Sequence, residues 1–335
     1  MADDLIKTGA IATVFGGSGF LGRHVVRALA QAGWRVRVAT RRPDLAFHLQ
    51  PLGRVGQVQA VQANVRAPNS VAAALRGADA VVNLTGVLTE TGRQTFEAVH
   101  VFGARAVARA AHDAGVANFV HVSALGAAEA SPSAYARSKA AGEAAVLEAV
   151  PGAVIMRPSI VYGPEDQFFN RFATIARLAP ALPLFGGGET KFQPVFAGDV
   201  ATAVARAIGG GATAGATYEL GGAETKTFRE LMQFILDATG RRRLLVPIPF
   251  GAARWMGATT EIANAASLGL FPPALLFTRD QVELLRGDNI VSNAARAENR
   301  TLDGLGVAPS ALESIVPAYL QRFRATGQFA RQEPA

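Results

Sequence analysis

The segment FGGSGFLGRH, Phe15 to His24, narrows the folds open to this chain more than any other stretch. An apolar, β-branched run (IATVF) precedes it and a helical pattern succeeds it over about residues 20–32. Its glycines fit two spacings: GxxGxxG on Gly16, Gly19 and Gly22, or GxGxxG on Gly17, Gly19 and Gly22. Either one describes a strand, a tight turn and a helix. The early glycines permit positive φ, and a missing Cβ lets the backbone approach a pyrophosphate. Gly22 lets the helix pack close to the sheet, and the helix N-terminus presents free N–H groups to phosphates. Ser18, Phe20 and Leu21 complete the expected phosphate-binding turn. The plainer alternative is a glycine turn that serves strand–helix packing alone.

Beyond residue 32 the chain keeps the same rhythm. RVRVATR (35–41), VQAVQAN (58–64), AVVNLTG (80–86) and NFVHVSAL (118–125) read as strands. Helical patterns lie between them, with long ones at about 94–114 and 133–149, and a further strand is expected within 153–162. Such alternation predicts right-handed βαβ crossovers and an α/β fold, a Rossmann-like doubly wound parallel sheet. Residues 8–155 are expected to form the dinucleotide-binding core. Residues 156–325 are expected to complete the sheet, with ATYELGG (216–222) as its last strand, and to form a smaller C-terminal lobe threaded onto it.

The end of the second strand bears on the ligand. A site for NAD usually places a carboxylate there to accept from the ribose 2′-OH. This chain has Thr40, Arg41 and Arg42 instead. Guanidinium groups pair with a 2′-phosphate, which points to NADPH; the alternative is that one or both arginines face solvent. Asn64 is expected near the adenine, and Leu84, Thr85 and Gly86 under the ribose and nicotinamide, although Asn and Gly also end strands for turn reasons.

Ser123 ends the fifth strand, and Tyr135 and Lys139 come next at i and i+4 on the following helix, hence on one face. An ammonium beside a phenol favours phenolate, and a serine hydroxyl can hold a carbonyl while Tyr passes a proton. The trio is therefore a candidate catalytic set. It equally suits a role confined to contacting the cofactor.

Composition excludes several classes. The chain has 335 residues, half of them apolar, and no cysteine, so disulfides, thiolate metal sites and cysteine nucleophiles are ruled out. Its net charge of +7 is spread out and compatible with an anionic ligand, an acidic partner or a lipid headgroup surface, with no basic block of the kind that marks nucleic-acid binding. No metal-ligand spacing appears among the histidines. No apolar run reaches the length of a transmembrane helix. The start, MADDLIKTGA, is neither a signal nor a transit peptide, so a peripheral protein on the cytoplasmic side of a bacterial inner membrane is expected.

GGSGFLG, YARSK and RPSIVYGPED resemble the extended and atypical branches of the short-chain dehydrogenase/reductase superfamily. More closely, FVHVSALGA, SPSAYARSKAAGE, RPSIVYGPEDQFFNRFA, FQPVFAGDVATAV, PFGAARWMG, FTRDQVELLRGDNIV and LGVAPSALESIVPAYL resemble the nucleotide-binding accessory subunits of respiratory complex I, NADH:ubiquinone oxidoreductase. The match runs over about residues 11–325.

The resemblance implies an oxidoreductase-like chain that holds NADPH structurally, without turnover. It would sit with other complex I subunits where the peripheral and membrane arms join. The family's phosphate loop falls on Gly16, Gly19 and Gly22, its 2′-phosphate side on Arg41 and Arg42, and its Tyr–Lys pair on Tyr135 and Lys139. Pro158, Ser159 and Ile160 are expected to border the nicotinamide pocket. One position departs from the active extended-branch enzymes: His100 in VHVFG stands where they carry the Asn of a proton relay.

The alternative function is a free NADPH-dependent reductase, or a sugar-nucleotide epimerase or dehydratase, using Ser123, Tyr135 and Lys139. In the second half, WMGATTEIANAASLGLFPPALLF carries a single charge, Glu261. Its apolar residues Ile262, Leu268, Leu270, Phe271, Leu275, Leu276 and Phe277 are expected either to dock on the membrane arm or a lipid headgroup surface, or to fill the lobe's own core.

Overall fold

The computed structural model describes residues 9–267, 272, 275–324 and 327. The chain divides into two compact units, and both are discontinuous in sequence. The first takes the chain up to Pro158, then Ala197–Gly221 and Val291–Pro309; the second takes Ser159–Phe196, Gly222–Ile290 and the chain from Ser310.

The first unit is built on a seven-stranded sheet. Six strands come from its leading segment: β1 (Ile11–Phe15), β2 (Arg35–Thr40), β3 (Val58–Gln62), β4 (Ala80–Asn83), β5 (Phe119–Val122) and β6 (Val154–Pro158). Thr217–Leu220 adds a seventh beside β6, and the spatial order is Thr217–Leu220, β6, β5, β4, β1, β2, β3. Every pairing is parallel. The expected doubly wound parallel sheet is therefore present. A parallel sheet is covered on both faces, which is why β4 (AVVN) and β5 (FVHV) are buried at every position.

The connections are helices α1 (Phe20–Gln31), α2 (Pro68–Leu75), α3 (Phe102–Asp113) and α4 (Ala134–Ala149). α4 starts where Ser133 accepts the Ala136 amide, an ordinary serine cap. The long helix expected at 94–114 is two pieces: a single π-helical turn, Glu97–Val101, runs straight into α3. That i→i+5 turn was invisible to a 3.6-residue period. The strand expected within 153–162 is also two pieces, since β6 ends at Pro158 and Val161–Tyr162 pairs instead with Val195–Phe196 in the second unit. Asp199 lies inside the first turn of the Ala197–Arg206 helix.

The sheet order reverses between β1 and β4, so the chain leaves these neighbouring strands in opposite directions. A crevice opens at their carboxyl ends, where doubly wound folds bind ligands.

The second unit has its own core, rich in phenylalanine: Phe169, Phe172, Phe185 and Phe228 pack with Leu231 and Ile235, and Leu312 and Val316 close over them. Asp166, in the GPED turn, is buried and accepts the amides of Phe169 and Asn170 and the Tyr319 hydroxyl. Burial raises its pKa, and those bonds oppose the rise. Helix Phe250–Ala266 belongs to this unit and leaves Trp255 and Ile262 largely exposed, at 77% and 68%. Of the apolar set expected to dock or fill the core, Phe277 is core and Leu275 is exposed. Leu268, Leu270 and Phe271 lie outside the described residues. Among the described residues no helix is long and apolar enough to cross a membrane.

Candidate nucleotide site

The crevice is a cleft of about 350 Å³ in the first unit. The turn after β1 makes one wall. Gly16 has φ +79°, a conformation that favours glycine, and a Cβ there would lie 3.1 Å from the backbone of Leu84 on the neighbouring strand's exit. The Gly19 amide donates to the Gly16 carbonyl at 3.0 Å, which closes the turn. Gly19 caps α1 without any side-chain hydrogen bond, so the first amides of α1 keep their donors for an anion. Gly22 is tightest: a Cβ would fall 2.2 Å from the Gly16 carbonyl oxygen and 2.6 Å from Gly17. Gly17 packs against Val14, Val26 and Val38 and does not line the cleft. Gly16, Ser18, Gly19, Phe20, Leu21 and Gly22 all line it.

Thr40 and Arg41 border the cleft at the end of β2, and the Ser18 and Thr40 hydroxyls lie 3.3 Å apart. The two arginines part company. Arg41 faces the cleft, whereas Arg42 forms a 3.2 Å ion pair with Asp44 at the surface. Asn64 lines the cleft, and its Oδ1 accepts the Arg66 amide, so it also shapes its own turn. Arg66 and Gln94 join the lining and were missed in the sequence, where neither sits in a glycine turn or a strand end.

Leu84, Thr85, Gly86 and Val87 form the opposite wall after β4. Buried Asn83 shapes it: its Oδ1 accepts both the amide and the hydroxyl of Thr85, so its amide nitrogen donates to His121 Nδ1 at 3.2 Å. His121 therefore carries its proton on Nε2. Burial, with Lys139 and His100 nearby, pushes its pKa down to about 3.

Tyr135 and Lys139 share one face of α4, Ser123 directly follows β5, and none of the three lines the cleft. Lys139 is buried, and its ammonium donates to the Val122 carbonyl at 3.2 Å. A Cβ on Gly86 would sit 3.5 Å from Lys139 Nζ, so that amine lies close behind this part of the wall. Burial lowers the Lys139 pKa to about 8, and Glu143 opposes the shift. Glu143 is held in turn by Arg157 through two bonds of 2.9 and 2.6 Å. The Tyr135 ring lies edge-on to Phe96 and to His100. Ser123 Oγ is buried without a hydrogen-bond partner, and so is His121 Nε2. A buried polar atom left unsatisfied is costly and commonly marks a site that a ligand completes.

Pro158 ends β6, and its carbonyl accepts the Leu125 amide. Ser159 and Ile160 belong to the second unit, where the Ser159 hydroxyl is engaged by Asn289. Among the described residues no cluster of His, Asp and Glu could hold a metal ion.

A turn that leaves no room for a Cβ at Gly16 and Gly22, together with uncapped helix amides, fits a dinucleotide. The glycine turn and Arg41 would hold its phosphates, and Thr85 and Gly86 would lie at its nicotinamide end.

Comparison with known proteins agrees. Residues 12–221 match the family described as the NAD dependent epimerase/dehydratase family. The chain is 37% identical over 325 residues to the mitochondrial NADH dehydrogenase (ubiquinone) 1 alpha subcomplex subunit 9 of Arabidopsis thaliana, covering 96% of this chain and 79% of that protein. It is 35% identical to the Mus musculus protein of the same name, covering 95% and 81%. A ceramide reductase of Caulobacter vibrioides is 41% identical over 174 residues, covering 52% of this chain and 53% of that protein.

Among solved structures, an NADPH-dependent quinone oxidoreductase of Escherichia coli complexed with NADPH superposes with a TM-score of 0.70 at 20% identity, covering 92% of this chain and 99% of that one. A dTDP-glucose 4,6-dehydratase of Streptomyces venezuelae with NAD bound gives 0.65 at 22%, covering 93% and 96%. At that identity these two speak for the fold alone. Together the matches establish an NAD(P)-binding fold. The expected place on the cytoplasmic side of a bacterial inner membrane is overturned, because the relatives matched over nearly the whole chain are mitochondrial proteins of eukaryotes. The first ten residues alone do not fix a compartment.

Proposed function

Since this chain belongs to the NAD dependent epimerase/dehydratase family, and is related over nearly its whole length to subunit 9 of the mitochondrial NADH dehydrogenase, we propose that it is an NADPH-binding accessory subunit of NADH:ubiquinone oxidoreductase, complex I. It holds the nucleotide as a structural ligand, without turnover, and supports assembly where the peripheral and membrane arms join. The observation that carries this reading is the similarity to that subunit across 96% of the chain. Two features of the cleft support it. The nucleotide cradle is intact, and the relay position is filled by a histidine with both ring nitrogens engaged.

NADPH is favoured over NADH because Arg41 borders the cleft where a carboxylate would otherwise select the 2′-OH. Arg42 contributes less, being engaged by Asp44. Arg41→Ala is expected to weaken NADPH binding by about 1.5–3 kcal/mol, roughly ten- to hundredfold, and to leave NADH nearly unchanged. Arg42→Ala is expected to have the smaller effect. Fluorescence titration of the nucleotide-free protein reads both. Equal affinities of the unaltered protein for the two nucleotides would sink the NADPH assignment.

A second reading is a carbonyl reductase, favoured by the 41% identity to the ceramide reductase and by the unpartnered Ser123 hydroxyl. A bound nicotinamide would supply the hydride. Ser123 would hold the carbonyl, and Tyr135, beside Lys139, would deliver the proton.

One experiment on the assembled complex separates the two. Tyr135→Phe is expected to leave its quinone reductase activity nearly unchanged. Trp255→Asp with Ile262→Asp is expected to leave nucleotide binding intact and to keep the chain out of the complex, since the exposed apolar face of the Phe250–Ala266 helix is proposed to dock on the membrane arm or its headgroup surface. Loss of quinone reductase activity in a fully assembled Tyr135→Phe complex, or NADPH-dependent ketone reduction by the isolated chain that Tyr135→Phe removes, would favour the enzyme.

A further inference from the structure

We propose that His100 is the positioning residue for the nicotinamide side of the cleft: as the neutral Nδ1–H tautomer, it ties Val87 in the wall after β4 to the Tyr135 turn of α4. The inference rests on the nucleotide-binding reading and adds a residue and a mechanism to it.

His100 is buried on the π-helical turn Glu97–Val101. Such turns are rare and often lie at functional sites, because the extra residue re-aims a side chain. The hydrogen bonds around the ring allow a single tautomer. The Ser138 hydroxyl donates its proton to the Tyr135 carbonyl at 2.7 Å. Its oxygen must therefore accept from His100 Nδ1–H, 2.8 Å away. Nε2 then carries no proton and accepts the Val87 amide at 3.0 Å. With both nitrogens engaged, the ring neither takes nor releases a proton to a substrate.

Packing fixes the ring as firmly as the bonds do. It stacks on Phe96 at 5.4 Å between centroids, and Tyr135 meets it edge-on, also at 5.4 Å. α4 passes so close that a Cβ on Gly142 would fall 2.3 Å from the His100 carbonyl oxygen. Burial, then the neighbouring Lys139 ammonium, push the His100 pKa down to about 3, so the neutral ring persists at ordinary pH.

Val87 lines the cleft, and a Cβ on its neighbour Gly86 would lie 3.5 Å from both His100 Nε2 and Lys139 Nζ. The ring thus supports the wall from behind. An asparagine ends one bond short of Nε2: it can reach Ser138 and must release Val87. Glutamine can reach Val87 and must release Ser138. Histidine alone spans both.

The test compares the unaltered protein with His100→Asn, His100→Phe and His100→Gln, using two probes. NADPH spans the cleft, whereas 2′,5′-ADP occupies its adenosine half alone and serves as the control for a folded cradle. His100→Asn and His100→Phe are expected to weaken NADPH about tenfold or more while 2′,5′-ADP stays within about twofold. His100→Gln, which keeps the acceptor for Val87, is expected to recover part of the loss. Nitrogen-15 spectra of labelled histidine are expected to show His100 as the Nδ1–H tautomer, without titration between pH 5 and 8.

NADPH and 2′,5′-ADP falling together, no loss in His100→Phe, or an Nε2–H or titrating His100 would each overturn the proposal. Failure of the parent reading looks different: the unaltered protein would bind neither probe.

Discussion

Gly22→Ala is expected to abolish nucleotide binding and to cost about 1–3 kcal/mol or more of stability. The reason is geometric. The new methyl carbon would fall 2.2 Å from the Gly16 carbonyl oxygen and 2.6 Å from two backbone atoms of Gly17. These are backbone contacts inside the turn, so no side chain can swing away. Relief requires α1 to move off the turn, and that removes its amides from the cleft. Gly19→Ala is the milder control, because its Cβ would meet only the Gly16 oxygen, at 3.3 Å. Urea denaturation of both variants with and without NADPH reads the two effects. A Gly22→Ala protein that binds as tightly as the unaltered one would mean that the turn is not the cradle.

Glu143→Ala is expected to destabilise the protein by about 3 kcal/mol, the lower end of what breaking a buried ion pair costs. Glu143 is buried on α4, and Arg157 on β6 meets it at 2.6 Å with about a quarter of its side chain exposed. Removing the acid leaves a guanidinium short of its main partner in a poorly solvated place. Glu219 also lies near enough to act on Arg157, which limits the loss. A second consequence reaches the cleft. Glu143 opposes the burial that lowers the Lys139 pKa, so without it the amine is expected to drop further below its ordinary value. Glu143→Met combined with Arg157→Met is expected to recover most of the stability, since a packed apolar pair replaces the ionic one. Urea midpoints of the unaltered protein and the two variants decide the matter. A single substitution no worse than the double would show that the pair is not what holds α4 to β6.

Much of the fold was legible because the sheet is parallel and its central strands are buried. The central strands then appear as short apolar runs, and α1 and α3 as amphipathic helices of ordinary length. The turn GGSGFLG was legible because Gly16 and Gly22 occupy positions that a side chain would not fit. The errors arose where the regular periods fail. The π-helical turn at Glu97–Val101 adds one residue to a helical pattern, and the 153–162 strand breaks after Pro158. Arg41 and Arg42 looked equivalent as neighbours, and only the fold turns one to the cleft and the other to Asp44.

The sequence by itself determined the local chemistry: a glycine turn at a helix N-terminus, arginines where a carboxylate would select NAD, and Tyr135 and Lys139 on one helix face. These are short-range facts, set by residue type and by a spacing of a few positions. Tertiary structure alone decided what His100 does. Its partners Val87 and Ser138 lie 13 and 38 residues away. Its tautomer depends on where a serine proton goes, and its neutrality depends on burial and on a lysine brought in from another helix. None of these leaves a mark in a window of sequence, because each is a contact between elements that meet only once the sheet has closed around β1 and β4.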